Sequence, residues 1–187
     1  MDRLNREVDA DPNIKSISIE HRKESVQQMI HYALKGSFSM MDAAPDVLDD
    51  FISCIRTFRP RGFWTLIHHI TDGLRNKLNE QWKTLSVDEV LRYLSLSAHH
   101  RLHELCSKAI ILVANVHYVQ FMREYNIDSN GSKREIYNML KDSELPFEGN
   151  AIQKIQAVYY AGKETRTMFR YSVKEEKKMR ATNAAKF

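Results

Sequence analysis

From residue 86 to residue 116 the chain contains no Gly and no Pro. Val87, Val90, Leu91, Leu94, Ala98, Leu102, Leu105, Cys106, Ala109, Val113 and Val116 recur through it at helical spacing. Ser86 precedes Glu89 by three residues, the pattern of a capping box, in which two otherwise unpaired N–H groups at a helix start are satisfied. The pattern predicts one helix over 86–116. At a rise of about 1.5 Å per residue it would span roughly 45 Å. That is too long for the central helix of a compact bundle built from a chain of 187 residues. A helix with so long an apolar stripe buries it against something extended, often a partner chain.

The flanking segments are read around this helix. Six Gly and four Pro favour long regular elements over many turns, which points to an all-α chain. Residues 1–20 are polar without a sustained period and read as a flexible arm. Residues 21–58 hold two N-terminal helices. The first carries Val26, Met29, Ile30, Ala33 and Leu34 inward and stops at Gly36; the second begins at Pro45 and carries Val47, Leu48, Phe51, Ile52 and Ile55. The run Arg59-Pro60-Arg61-Gly62 ends it. A helix over 63–80 presents Trp64, Ile67, Ile70, Leu74 and Leu78. A loop over 125–132 precedes a short helix over 133–141 with Ile136, Met139 and Leu140 inward. Short, long, short is the helix order of a histone fold, in which two chains interlock across their long helices. The expected organisation is therefore a histone-fold-like domain over 63–142, with additional N-terminal helices and a C-terminal basic helical extension over 143–187.

Charge is distributed unevenly. The net charge is +4, and residues 163–187 alone hold eight Lys and Arg against three Glu. In that tail Lys174, Lys177, Lys178 and Arg180 are the candidate phosphate contacts; the alternative is a solvated helix face held by pairs such as Glu175 with Lys178. The longest apolar run, residues 109–114, is far shorter than the roughly 20 residues a membrane span needs, so no membrane segment is expected. Cys54 and Cys106 sit inside apolar helical patterns and read as small reduced core residues.

The stretch SLSAHHRLHELC, residues 95–106, carries the only dense cluster of metal-ligating side chains. His99 and His103 are spaced i, i+4, which lets two imidazoles on one helix face reach a single ion. A zinc site needs three or four ligands, and no second cluster supplies the rest. The three histidines therefore read as the polar flank of a helix, with no metal and no cofactor. Ser95 and Ser97 lie mid-helix, where a hydroxyl returns a hydrogen bond to the preceding turn. No phosphate loop or nucleophile turn occurs, so the chain reads as non-enzymatic.

The long helix also carries a resemblance. Tyr93, Leu94, Ser95, Arg101, Leu102, Leu105 and Lys108 stand at a spacing that resembles the C-terminal conserved region of the subunit 4 family of transcription factor IID, TATA-binding-protein-associated factors. The resemblance is best over 86–108. It is weaker over 54–78, with Arg75 and Lys77 near the end of that helix, and over 134–140. The chain departs from the family at Leu96, where a His is common, and at His99, His100 and His103, where other polar residues stand. The resemblance implies a histone fold, a nuclear location and a place in a transcription-initiation complex. The implied partners are a complementary histone-fold subunit of the subunit 12 type, other subunits of the complex, and promoter DNA for the basic tail. Val90, Tyr93, Leu94, Ala98, Arg101, Leu102, Leu105, Ala109 and Val113 would then line the heterodimer seam, Tyr93 and Arg101 setting its geometry. A reading of another class is an all-α, nucleocapsid-like protein that binds RNA and self-assembles.

Overall fold

A computed structural model describes residues 19–40, 42–143 and 149–165. These residues are all-α. In chain order the helices are α1 (Lys23–Lys35), α2 (Pro45–Phe58), α3 (Phe63–Glu80), α4 (Val87–His99), α5 (His103–Leu112), a π-helical segment (Val113–His117), α6 (Tyr118–Glu124), α7 (Gly131–Asp142) and α8 (151–165). The local signals that start and stop them are those in the sequence. Gly36 closes α1 in the left-handed region at φ 72°, and Pro45 opens α2 with Asp46 in its first turn. Ser86 and Glu89 form the capping box of α4, the Ser86 N–H donating to Glu89 Oε2 at 2.9 Å and the Glu89 N–H to Ser86 Oγ at 3.3 Å.

The single helix expected over 86–116 does not form. α4 ends at His99 and α5 begins at His103. Between them the Arg101 N–H donates to the Ala98 carbonyl at 3.1 Å, and the Leu102 N–H reaches back to the Ser97 carbonyl at 2.8 Å. Arg101 sits at φ 53°. This is a Schellman closure with Arg101 at the left-handed position, where Gly is usual. A non-Gly residue there costs about 1–2 kcal/mol. What offsets it is apolar burial. The turn folds one stripe into two facing halves, and α4 and α5 make the most extensive helix–helix contact in the fold. Leu94 lies in one half and Leu105 in the other, both fully buried, with Leu102 buried at the bend. At roughly 25 cal/mol per Å² of apolar surface, burying two or three such side chains outweighs one strained residue.

The remaining helices wrap this hairpin. α2 and α7 pack on α4, α3 packs on α5, and α1 lies on α2. Phe51, Ile52, Ile55, Leu66, Ile70, Leu74, Leu78, Leu91 and Phe121 fill the centre. α8 is attached through Ala151 and Ile155, which are buried, and through Tyr159, stacked on Tyr118 with ring centroids 3.6 Å apart. From His103 to Glu124 the helical path is long and apolar enough to cross a membrane by length and composition alone, with mean hydropathy 1.3. Half of it is buried inside the fold, where it serves as a core helix.

Several residues expected to point inward do not. Leu34, Ile30, Trp64, Met139 and Val116 are exposed. α1 touches its neighbour through a narrow face of Ser25, Met29 and Tyr32, which leaves Ile30 and Leu34 outside. In α3 the buried row runs Leu66, Ile67, Ile70, Leu74 and Leu78, and Trp64 lies off it.

The broken helix makes a specific prediction. Arg101→Gly leaves stability unchanged or raises it by up to about 1 kcal/mol, because Gly accepts the left-handed turn; in an unbroken helix the same change would cost about 1 kcal/mol. Urea unfolding distinguishes the two signs. A second prediction concerns acid. Lys133 and Arg123 bond the Glu124 carboxylate and pull its pKa from 4.5 down to about 2. A depressed carboxyl pKa contributes stability above the unfolded value, and that contribution is lost as pH falls through the folded one. Glu124→Gln should therefore flatten the acid limb of the stability profile between pH 4.5 and about 2, and leave neutral stability little changed in high salt.

Candidate functional site

The C-terminal ends of α2 and α4 meet. Arg56, in the last turn of α2, donates through a guanidinium nitrogen to the backbone carbonyl of His100, the residue that caps α4. A cation at a helix C-terminus satisfies a carbonyl that has no partner within the helix and complements the helix dipole. Two more arginines lie beside it. Arg59 caps α2 at φ 44°, and Arg101 sits at φ 53°. They are the only non-Gly residues with positive φ among the described residues. Burial lowers the pKa of Arg56, and the charges of Arg101 and Arg59 lower it further. Neither Arg59 nor Arg101 makes an ion pair among the described residues, and both are exposed.

The chain continues from Arg59 through Pro60, Arg61, Gly62 and Phe63 to Trp64, whose side chain is 76% exposed. Pro60 is buried and anchors the turn. Gly62 has φ 77°, and an added Cβ would meet the Tyr32 hydroxyl at 3.0 Å. That hydroxyl donates to the Gly62 carbonyl at 3.4 Å. The Phe63 ring meets Trp64 in an edge-to-face contact with centroids 4.8 Å apart, and most of the indole remains exposed.

On the other side of the same helix end, Asp49 of α2 faces two histidines. His99 Nδ1 lies 3.0 Å from Asp49 Oδ1, and His100 Nε2 lies 3.1 Å from the same oxygen. The two imidazoles stack with centroids 4.5 Å apart. His99 is 63% exposed and His100 only 3%. Burial alone would raise the Asp49 pKa, but the hydrogen bonds from His100 and His99 outweigh it and hold the carboxyl below its ordinary value. A cavity of about 820 Å³ opens beside them, with Asp49, His99 and Arg101 on its wall. Arg22 and Arg92 also line it, and each is paired, with Asp46 at 2.8 Å and Asp88 at 2.7 Å.

Most of the residues expected in a heterodimer seam are buried within the single chain. Val90, Tyr93, Leu94, Ala98, Leu102, Leu105, Ala109 and Val113 are all 8% exposed or less within the single chain. Their apolar surface already faces other residues of the same chain, because the turn at Arg101 brings the two halves of the stripe together. Tyr93 packs beneath the Lys77 ammonium, 5.9 Å from the ring centroid. Only Arg101 of that set is exposed. His103 lies beyond the break and is not brought to His99, so the i, i+4 pairing does not form. Lys174, Lys177, Lys178 and Arg180 lie outside the described residues.

Two features are not evident from sequence pattern. The segment RTFRPRGFW, residues 56–64, holds three arginines and a tryptophan. In sequence its Pro and Gly read only as a helix stop. Asp49 carries no signal at all, since it stands 50 positions from the histidine it bonds. Comparison with protein-family models, curated proteins and solved structures gives no match to the chain.

All three arginines are exposed, but only Arg56 holds a backbone carbonyl. Arg56→Ala should cost about 1 kcal/mol, the value of a hydrogen bond to a carbonyl at a helix end. Arg59→Ala and Arg101→Ala should stay within about 0.5 kcal/mol of the parent. Thermal unfolding of the three single variants checks the order.

Proposed function

We propose that the chain is a non-enzymatic, all-α RNA-binding protein whose contact surface is the meeting point of α2 and α4. Arg59, Arg61 and Arg101 take phosphates, and Trp64 takes an unpaired base. One observation carries the reading. Both left-handed positions at this junction would accept Gly without strain, yet both hold arginine, next to a third arginine that they repel. Backbone strain and like charge both oppose stability here, and an anion bound at the surface would relieve the second. Strain of this kind, about 1–3 kcal/mol per residue, concentrates at ligand clamps. The exposed Trp64 favours single strands, whose bases are free to stack on an aromatic ring, over duplexes. A sequence pI of about 9.0 and the basic residues Lys174, Lys177, Lys178 and Arg180 support a polyanionic partner.

A second reading is the nuclear, histone-fold subunit of a transcription-initiation complex of the transcription factor IID type, paired with a complementary subunit of the subunit 12 type. The resemblance at Tyr93, Leu94, Ser95, Arg101, Leu102, Leu105 and Lys108 favours it. It requires residues 100–102 to straighten and the buried stripe to open toward the partner. Ile111 of α5, Val116 of the π-helical segment, and Val119 and Met122 of α6 are exposed apolar residues, where another subunit or a second copy of the chain would dock.

Titration of the full chain with a labelled single-stranded RNA, across a salt series, tests the first reading. Arg59→Ala and Arg101→Ala should each weaken binding and reduce the salt slope by about 0.7 for each phosphate no longer neutralised. Trp64→Ala should lose about 1–3 kcal/mol with the slope unchanged. Equal binding by the triple variant would overturn the assignment. A chain insoluble alone but soluble as a 1:1 complex with a complementary histone-fold subunit would favour the second reading.

A further inference from the structure

We propose that Asp49, His99 and His100 form a site for one divalent transition-metal ion, with Zn²⁺ the ion whose chemistry suits it best. One ligand atom from each of the three residues lies within 4.8 Å of the others. Two of the separations, 3.0 and 3.1 Å, run from imidazole nitrogens to a single carboxylate oxygen. Donor atoms around a tetrahedral zinc ion, each about 2.0–2.1 Å from it, stand roughly 3.3 Å apart. Two of the three separations are thus close to that spacing, and the ion would replace the hydrogen bonds these nitrogens make to Asp49, including the one from His100 Nε2 to the Asp49 backbone carbonyl at 3.2 Å.

The chemistry of the donor set selects the metal class. Two imidazoles and one carboxylate suit zinc and its first-row neighbours; calcium and magnesium prefer oxygen ligands throughout. Coordination uses the lone pairs of His99 Nδ1 and His100 Nε2. A neutral ring bearing its proton there moves it to the other ring nitrogen, and a protonated ring releases one proton to solvent.

The surroundings fix one ligand and leave two open to solvent. His100 is buried, and Arg56 holds its carbonyl, so its backbone and ring are fixed by packing. His99 is exposed and Asp49 half-exposed, and both line the 820 Å³ cavity. A fourth coordination position therefore faces solvent, an arrangement of three protein ligands and one open place. Asp50 lines the same cavity and adds negative potential, whereas Asp46 there is paired with Arg22. Arg101 opposes it from the rim, which sets the affinity below that of an all-cysteine site. The metal site stands independently of the RNA reading, since neither Asp49 nor His99 belongs to the arginine surface.

Cobalt absorption on the full chain tests the site. Co²⁺ should bind one per chain with the intense visible bands of four-coordinate cobalt, and Zn²⁺ should displace it. His99→Ala and Asp49→Asn should each weaken binding at least about tenfold. His103→Ala, three residues from the nearest ligand and beyond the helix break, should leave it unchanged. His99 is exposed, so His99→Ala keeps the test valid where His100→Ala would disturb the core; circular dichroism confirms that each variant is folded. The weak spectrum of six-coordinate cobalt, binding equal in His99→Ala, or loss on His103→Ala would overturn the site.

Discussion

The left-handed turn at Arg101 folds one apolar stripe back upon itself, and the rest of the structure depends on it. Without it, α4 and α5 would be a single rod with Leu94, Leu105 and Ala109 on one open face. With it, those residues are buried within the chain, which acquires a centre around which α2, α3 and α7 pack. The closure needs support because no Gly stands at the strained position. The two reaching hydrogen bonds to Ser97 and Ala98 supply part of it. The guanidinium of Arg56 supplies another part by holding the His100 carbonyl at the end of α4.

The same junction concentrates chemistry. A helix end carries partial negative charge and draws cations. Two helices, α2 and α4, end side by side, so their closing residues come together: Arg56 and Arg59 from one, His99, His100 and Arg101 from the other. Asp49, two turns earlier in α2, lies across from the histidines. A basic surface and a histidine–aspartate cluster thus share one corner of the fold because both follow from where the chain turns. Apart from His100, these side chains stand outside the buried core. That separation leaves the exposed members of the junction free to serve binding.

A long helical period is good at locating apolar residues and poor at locating breaks. Each half of the stripe, Val87 to Ala98 and Leu105 to Val113, is a true helix with its apolar face buried, and the capping box at Ser86 marks its start. The break falls on His100, Arg101 and Leu102, none of which is a helix breaker, and the apolar spacing runs on across it almost in phase. The gain that offsets the strain of the turn is made by residues brought together across it, which no local pattern records. The histidines show the same limit. Their spacing along a helix suggests His99 with His103, whereas the end of the helix brings His99 and His100 to an aspartate in a different helix. The arginine surface is closer to legible, since Arg59, Arg61 and Trp64 are near neighbours in the chain; Arg56 and Arg101 join through space.

Capping, proline placement and helical period act within a few residues. They are therefore written in the order of the amino acids: the helical character of the chain, the apolar positions of each helix, and where α1, α2 and α4 begin or end. Closure of the long stripe upon its own chain is not written there. Nor is the convergence of Arg56, Arg59 and Arg101, or the meeting of Asp49 with His99 and His100. These belong to the folded molecule, because they follow from one residue's backbone strain set against apolar burial summed over several helices. That balance is struck by contacts between distant parts of the chain.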